Sequence, residues 1–593
     1  MISNIFRYIF SLLIITMVSL PSFAQTKDKG ESKNFKITKN LDIFNSIFKE
    51  LEMYYVDTIP TEKVVKTGID AMLRQLDPYT TYMSEEEKEE FTIQVTGEYA
   101  GIGALIQQRG DTIFISDPYE GMPAQQADLR PGDAIIEIDG ESMIKKESSF
   151  VSNKLKGQAN TPLTVKILRK GSHEIIQKDL IRKKIQMKAV PYYGMVSDSI
   201  GYIYLTAFTD KSASEVKNAI IDLKKNPNFK SLIFDLRNNG GGDLEEAIQI
   251  VNFFVPKGVE ILQTRGKLKN WDRTYKATQE PILPDMPLVV MVNRGSASAS
   301  EIVTGALQDL DRAVIIGERT FGKGLVQTTR PLSYNGLVKI TSAKYYIPSG
   351  RLIQAIDYSN RNPDGSVGRI PDSLTHVFNT ANGRIVKDGG GILPDIITEQ
   401  PRYSNMSYYL VRDNYFFDFA NDYANTHESI GSVEDFKLSD EEYDKFKKFV
   451  ISKNFTYDRQ SDKALKDLKQ LAEFEGYSED AKAEFEALEA KLSHNVERDL
   501  DKFRSELSQI LSQEIVKRYY FEKGEIKQTL KVDKELDKAL EILNNKAQYK
   551  EILSPKADIK ADEKKNKKES LSYNPYFIPL EEIFIHSNNV YMS

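Results

Sequence analysis

The chain has 593 residues, of which 40% are hydrophobic and 28% are charged, with 34 glycines and 22 prolines. This length predicts several folding units, and this composition excludes a collagen, an extended coiled coil, a multi-span membrane protein and a wholly disordered chain. Lysine plus arginine total 80 against 86 acidic residues, a formal net charge of -6, so nucleic acid is not expected as a main partner. The lack of cysteine excludes disulfides, thiolate metal sites and cysteine nucleophiles, and only five histidines are present.

The N-terminus has the pattern of a secretory signal peptide. Residues 8–20 are almost continuously apolar and follow Arg7, and Ser22 and Ala24 are the small residues of a cleavage site. A retained membrane anchor is the alternative, but the apolar run is shorter than the roughly 20 residues that a membrane-spanning helix needs. We therefore expect residues 1–24 to be removed and the mature protein to be exported.

The periodicity of apolar residues divides the rest of the chain into five segments. It predicts helices over 25–91, a β-rich module of short alternating strands over 92–185, and an α/β core of strands and helices over 186–400. The core strands are continuously apolar, which indicates a sheet buried on both faces. Residues 401–553 are charged and helical, with an apolar face that packs in a helical domain or on a partner helix, and the composition of the tail 554–593 favours disorder.

A serine-rich turn, residues 293–301, joins a buried strand to a helix and reads Asn-Arg-Gly-Ser-Ala-Ser-Ala-Ser-Glu. Such a junction exposes a serine hydroxyl and aims the amides of a helix N-terminus at the space beside it, which suits a nucleophile. Serines in such turns also cap helices. The turn alone leaves both roles open.

A serine nucleophile needs a base, and the histidines are poorly placed to provide one. Only His376 falls within the predicted core, in a polar loop, so a Ser/His/Asp triad is poorly supported. Lysine serves instead when burial lowers its pKa. Lys323 lies between Gly322 and Gly324 before an apolar strand, and Gln327 is expected on the same face, where its amide can orient the lysine amine. An ordinary turn lysine is the alternative; a phosphate loop is excluded because its Gly-x4-Gly-Lys-[Ser/Thr] spacing is absent.

A third candidate element, also at a strand-to-helix junction, carries three consecutive glycines at residues 240–242. Glycines allow backbone amides to approach a developing oxyanion closely. A flexible turn is the alternative. A dinucleotide-binding turn is disfavoured because the Gly-x-Gly-x-x-Gly spacing is not met.

Together these segments resemble the carboxyl-terminal processing peptidases, also called tail-specific proteases, a family of PDZ-containing serine peptidases. Five motifs carry the resemblance: residues 235–242, residues 294–301 with Asp309, residues 320–324 with Gln327, residues 343–346 and residues 348–351. The resemblance runs from about Leu41 to Asp395. It implies a multidomain α+β fold, with an α/β (ClpP/crotonase-like) peptidase core, an inserted PDZ domain, an N-terminal helical segment and a C-terminal helical region.

The resemblance also implies roles for residues of the core. Ser298 would be the nucleophile, Lys323 the general base and Gln327 the partner that orients the lysine. The backbone amides of Gly242 and Ala299 would form the oxyanion hole. No metal or organic cofactor is implied.

The β-rich module resembles the PDZ domain of this family. The loop that captures a substrate C-terminal carboxylate would consist of Gly101, Ile102, Gly103 and Ala104. The strand after it would pair with the peptide by β-augmentation. Asp128 departs from the family pattern, in which a glycine is common, although Asp tolerates left-handed backbone angles better than most residues.

The sequence therefore predicts an exported, periplasmic serine endopeptidase that recognises protein or peptide substrates with exposed apolar C-termini and cleaves them with a Ser/Lys dyad. The alternative is a catalytically inactive PDZ scaffold that binds such tails without cutting them. Asp309, about three helical turns from Ser298, is expected to be structural. An adaptor protein or a second copy of the chain is a possible partner of the C-terminal helical region.

Overall fold

The chain divides into two compact units, one ending at Gln75 and the other beginning at Leu76. The computed structural model describes residues 32–171, 174–361, 366–399, 403–492, 495–555 and 590–592. The predicted signal peptide and most of the predicted tail lie outside these ranges. Within them, no helix combines the length and the apolar character needed to cross a bilayer.

The first unit contains two of the predicted helices, α1 (Lys33–Tyr54) and α2 (Thr61–Arg74). The side chain of Thr61 at the start of α2 donates a hydrogen bond to Glu52 of α1. None of the residues of either helix is buried, so the apolar face that predicted α1 is exposed within this unit.

The second unit begins with strand β1 (Thr81–Met83) and helix α3 (Glu85–Thr96). The sequence pattern predicted only helix here. Residues 81–83 instead become extended because they pair with a strand of the core about 250 residues later in the chain. Helix α3 begins with Ser84 and Glu87 in a capping box and ends at Gly97, whose φ of 65 is the left-handed conformation that glycine favours.

The β-rich module follows as predicted. Its elements are β2 (Glu98–Gly101), β3 (Ala104–Arg109), β4 (Thr112–Pro118), α4 (Pro123–Gln126), β5 (Ala134–Ile138), β6 (Glu141–Ser142), α5 (Ser148–Leu155), β7 (Pro162–Leu168), β8 (Ile175–Ile181) and β9 (Lys183–Gln186). Strands β3, β4, β5, β7 and β8 form an antiparallel sheet in that order, with β6 beside β5. Strands β2 and β9 pair with each other, so the chain enters and leaves the module along one two-stranded ribbon.

The α/β core is built around two sheets. Its elements are β10 (Tyr192–Met195), β11 (Ile200–Tyr204), α6 (Ser212–Leu223), β12 (Ser231–Asp235), α7 (Leu244–Asn252), β13 (Glu260–Gly266), β14 (Arg273–Lys276), β15 (Leu288–Val292), α8 (Ala299–Asp309), β16 (Val314–Gly317), β17 (Leu325–Pro331), β18 (Leu337–Tyr346), β19 (Ile356–Arg361), β20 (Val367–Arg369), β21 (Val377–Asn379), β22 (Ile385–Lys387) and β23 (Ile396–Ile397). The larger sheet has the order β10-β11-β12-β15-β16-β23 and is parallel except for β10 at one edge. The smaller sheet joins β1, β13, β14, β17 and β18.

The C-terminal region is helical, as predicted. Its helices are α9 (Asn405–Arg412), α10 (Tyr415–Thr426), α11 (Asp440–Ser452), α12 (Gln460–Phe474), α13 (Lys482–Leu492), α14 (Val496–Lys502), α15 (Arg504–Leu530), α16 (Lys534–Asn544) and α17 (Lys546–Ile552). Helix α15 breaks at Phe521, where φ is 53. Leu500, Leu507 and Ile510, on the predicted apolar face, are buried in the core of this region, so the face packs within a helical domain.

The larger sheet is buried on both faces, which confirms the interpretation of its apolar strands. Every residue of β12 and β15 is buried. Helices α6, α7 and α8 cover one face. The other face packs against α16 and α17, which come from the far end of the chain.

A last short strand, β24 (Val590–Met592), lies at the edge of the β-rich module. It pairs antiparallel with β3 and becomes the outermost strand of that sheet.

Candidate active site

The three turns singled out in the sequence lie at one edge of the larger sheet. Strands β12, β15 and β16 are parallel neighbours, so their carboxyl ends lie side by side. The glycine turn (236–243) leaves the first, the serine turn (293–298) leaves the second, and the lysine turn (318–324) leaves the third. Ligands of open parallel sheets bind at this kind of edge.

The structure separates the three serines of residues 293–301, of which Ser300 lies in the first turn of α8. The hydroxyl of Ser296 donates to Leu236 O at 2.8 Å, the hydroxyl of Ser300 donates to Asn239 O at 2.7 Å, and both side chains are fully buried. Ser298 is only partly buried and immediately precedes helix α8, with a φ of 56 and a ψ of -113. Backbone strain of this kind concentrates at functional sites, and a strained strand-to-helix turn is how a nucleophilic serine is presented.

Lys323 lies in a desolvated position at the end of the lysine turn. Its Nζ is 4.3 Å from the ring centroid of Tyr79. Burial, and after it the positive charge of Lys339, lower the pKa of Lys323 to about 8, whereas the carboxylates of Glu301 and Asp77 act in the opposite direction. A pKa near the working pH is the property that a general base requires.

One buried carboxylate holds the serine and lysine turns together. Oε2 of Glu301 accepts hydrogen bonds from Ser298 N at 2.9 Å and from Lys323 N at 2.8 Å. Its other oxygen accepts from Gly322 N at 2.7 Å and from the hydroxyl of Thr320 at 2.5 Å. Burial raises the pKa of Glu301, and the four donated bonds oppose that rise. Sequence reasoning gave this residue no role, although a glutamate three positions after a serine is the sequence pattern of a capping box.

A buried tyrosine makes a second link between the same two residues. The hydroxyl of Tyr345 lies 2.8 Å from Lys323 O and 3.2 Å from Ser298 O. Burial raises the pKa of Tyr345 well above its usual value, so the hydroxyl stays protonated and able to donate. Glu301 and Tyr345 together keep the backbones of Ser298 and Lys323 close to each other.

Among the described residues, Gln327 and Lys323 form no hydrogen bond with each other. Its amide nitrogen donates instead to the hydroxyl of Thr341 at 3.3 Å. The pairing of β17 with β18 shifts register between Val326 and Gln327. Such a bulge alters the alternation of side chains on which the predicted shared face depended. The orienting role of Gln327 stays a prediction.

The glycine turn packs directly on Ser298. Gly241 has a φ of 99, and a Cβ there would lie 2.7 Å from Ala297 O and 2.8 Å from the Cβ of Ser298. Gly242 has a φ of 144, and a Cβ there would lie 2.3 Å from Phe208 O. Only glycine fits at both positions, because Gly241 lies against Ser298 and Gly242 lies against the backbone of Phe208. The oxyanion role of Gly242 and Ala299 stays a prediction.

Asp309 lies at the far end of α8 and is held in a buried ion pair. Its Oδ1 accepts from Arg351 Nη2 at 2.7 Å, and its Oδ2 accepts from Ser349 N at 3.0 Å. Both charged side chains are essentially inaccessible to solvent. These contacts fit the structural role expected for Asp309.

The predicted carboxylate-binding loop joins β2 to β3, and all four of its residues, Gly101, Ile102, Gly103 and Ala104, are buried. Gly103 has a φ of 72, and a Cβ there would lie 2.5 Å from the Cβ of Met122, so the loop requires glycine. Asp128 adopts a φ of 57 and accepts a hydrogen bond from Arg130 at 2.7 Å. The aspartate thus keeps the left-handed conformation in which the family commonly has glycine.

A serine turn beside a desolvated lysine and a glycine turn, next to an inserted β-rich module, defines a PDZ-containing serine peptidase. Three family models match the chain: "Peptidase family S41" over residues 199–364, "PDZ domain" over residues 114–169, and "Probable PDZ-protease, C-terminal helical domain" over residues 406–543. The β-rich module is therefore a PDZ domain.

Two relatives with similar sequences lead to the same class. The carboxy-terminal-processing protease of Bartonella bacilliformis is 35% identical over 391 residues, which cover 65% of this chain and 81% of that protein. A probable CtpA-like serine protease of Staphylococcus aureus is 31% identical over 401 residues, 67% of this chain and 72% of that protein. Among solved structures, a photosystem II D1 C-terminal processing protease matches 60% of this chain and 92% of its own, with 26% identity and a TM-score of 0.32. The chain belongs to the carboxyl-terminal processing peptidases of family S41, which confirms the predicted family and fold class.

Proposed function

We propose that this protein is an exported endopeptidase that cleaves its substrates with a Ser298/Lys323 dyad. The observation that carries this proposal is the hydrogen bonding of one Glu301 carboxylate oxygen to the backbone amides of both residues. The lowered pKa of Lys323 supports it, because a lysine can accept a proton only as the neutral amine.

In the proposed reaction the neutral amine of Lys323 takes the proton of the Ser298 hydroxyl as its oxygen attacks the scissile carbonyl carbon. The negative charge that forms on the carbonyl oxygen is stabilised by the amides of Gly242 and Ala299. The tetrahedral intermediate collapses to an acyl-enzyme, and the leaving amine takes the proton from Lys323. Water then releases the acyl group by the same proton transfers. Gln327 orients Lys323 in this scheme once its amide leaves Thr341.

The PDZ domain supplies the substrate tail in this proposal. An apolar C-terminal segment pairs with the outer edge of β3, and its carboxylate meets the amides of the Gly101 to Ala104 loop. The signal-peptide pattern of residues 1–24 supports export, with the periplasm of a double-membraned bacterium as the compartment. Fusing residues 1–24 to a reporter enzyme that is active only outside the cytoplasm tests the export step.

Cleavage by the mature protein, lacking residues 1–24, tests the dyad. The substrate is a model protein with an apolar C-terminal tail, compared with the same protein amidated at its C-terminus. We expect Ser298→Ala and Lys323→Ala to abolish cutting, Ser300→Ala to retain it as the matched control, and the amidated substrate to be cut more slowly. Full activity of either dyad variant contradicts the mechanism. Tail binding without cutting by the wild type supports the inactive scaffold instead.

A further inference from the structure

The edge of the PDZ sheet that a substrate tail would use is already paired with a segment of this same chain. Strand β24 runs antiparallel to β3, with Val590 opposite Gln107, Tyr591 opposite Ile106 and Met592 opposite Leu105. An unpaired edge strand can pair with a strand of another chain, and here the edge of β3 is already paired with β24.

The segment lies in the groove that β-augmentation uses. It contacts helix α5 as well as β3, so it lies between the strand and the helix. At the end of the groove away from the carboxylate loop, Gln108 links β3 to the start of α5. Its side-chain oxygen accepts hydrogen bonds from Ser148 N at 3.3 Å and from the Ser148 hydroxyl at 3.0 Å. The near end is the predicted carboxylate loop. The groove is therefore a preformed slot, and β24 occupies it.

The direction of β24 is that of a PDZ ligand. Met592 is paired with Leu105, the residue directly after the loop that ends at Ala104, whereas Val590 is paired farther along β3. A peptide that adds to this edge in antiparallel sense brings its C-terminal side to the loop that binds carboxylates. The segment is also apolar, which is the chemistry expected of the substrate tails.

The covalent connection makes this segment a strong competitor. About 35 residues join Pro555, after α17, to Val590, and a chain of that length reaches more than about 100 Å when extended. A ligand tethered in this way is presented to its site at an effective concentration on the order of millimolar. A separate substrate present at micromolar concentration therefore competes at a disadvantage with a tethered segment of comparable affinity.

We propose that residues 590–592 are a built-in ligand of the PDZ groove, which competes intramolecularly with substrate C-termini for β3. This inference rests on the proposed function of the groove as the site for substrate tails. A tail binds only to the fraction of molecules whose groove is open, so its apparent Kd is the intrinsic Kd divided by that fraction. With a groove open in about a tenth of the molecules, removal of the segment strengthens tail binding about tenfold.

Binding of a fluorescent peptide of residues 584–593 tests the proposal without requiring catalysis. All proteins carry Ser298→Ala and are checked for an unchanged melting temperature. One lacks residues 590–593, and a second carries Tyr591→Pro, which prevents regular strand pairing. The matched control carries Ser572→Pro in the connecting segment.

We expect the deletion and Tyr591→Pro each to lower the Kd for the peptide about tenfold, and Ser572→Pro to leave it unchanged. Equal Kd values, within twofold, for the full chain and both groove variants overturn the proposal. The weaker binding of the full chain must also be independent of its own concentration. A weakening that grows with protein concentration overturns the intramolecular assignment and places the segment in the groove of a second copy.

Kinetics with Ser298 restored separate this proposal from the proposed function. The deletion should lower KM for a substrate with an apolar tail about tenfold and leave kcat unchanged, and it should not alter cleavage of a short peptide that has no tail. If no protein cuts any substrate, the proposed function fails, and the binding experiment still decides whether the segment occupies the groove.

Discussion

Cleavage should accelerate with pH through a midpoint near 8, because Lys323 acts as a base only when its amine is neutral. Its pKa is lowered from 10.5 to about 8. The neutral fraction is then about a tenth at pH 7 and about nine tenths at pH 9, so kcat/KM should rise about tenfold between these values. A lysine with an ordinary pKa would instead begin to titrate above this window.

Removing a neighbouring positive charge should shift the pKa of Lys323 in a known direction. The positive charge of Lys339 helps to lower the pKa of Lys323, so Lys339→Gln should raise that pKa and move the midpoint to higher pH. A shift of about half a unit would lower kcat/KM at pH 7 about threefold. Lys339→Arg keeps the charge and is the matched control.

The assay is hydrolysis of a short peptide without a tail from pH 6 to pH 10 at constant ionic strength, so that binding to the PDZ domain does not enter the rate. A flat profile, a midpoint near 6.5, or a downward shift in the Lys339→Gln variant would refute the assignment of Lys323 as the base.

Three further predictions concern stability and binding. Lys323→Met should raise the free energy of unfolding at pH 7 by about 1 to 3 kcal/mol, because the charged amine is disfavoured in the folded state below pH 8; urea titration measures this change, and destabilisation would contradict it. Gly103→Ala, whose Cβ would lie 2.5 Å from the Cβ of Met122, should weaken binding of a tail peptide at least tenfold by calorimetry while the short peptide is still cut. Arg351→Met leaves Asp309 buried without its ion-pair partner and should lower the free energy of unfolding, measured by urea titration, by about 3 to 5 kcal/mol. Adding Asp309→Leu should recover part of this loss.

The parts of the site that could be predicted from the sequence are those encoded in short contiguous motifs. The glycine, serine and lysine turns each carry their own glycines and polar residues, and each follows an apolar strand. The adjacency of β12, β15 and β16 brings these turns together, but the sequence alone does not reveal that order. The choice of Ser298 over Ser296 and Ser300 came from the family resemblance, and the structure supports it by the burial and hydrogen bonding of the other two.

The features that were not predicted depend on contacts between distant parts of the chain. Glu301 was visible as a capping-box residue, yet its bond to Lys323 N spans 22 positions and is set by the tertiary fold. Tyr345 reaches back 47 positions to Ser298 O. The bulge at Gln327 and the pairing of β24 with β3 arise from strand registers, which periodicity in a single segment does not determine.

The cover that α16 and α17 provide for the larger sheet has a consequence for the order of events during synthesis. Residues of β12 and β15 are synthesised early, but the face that they share with Leu536 and Ile542 cannot be covered until the chain has been made beyond residue 552. Arg237, within the glycine turn, likewise acquires its bonds to Asp533 and Glu535 only then. We therefore expect a chain that ends before α16 to expose this apolar face and to lack the bonds of Arg237 to Asp533 and Glu535, so the edge of the sheet that carries the three turns is incompletely supported.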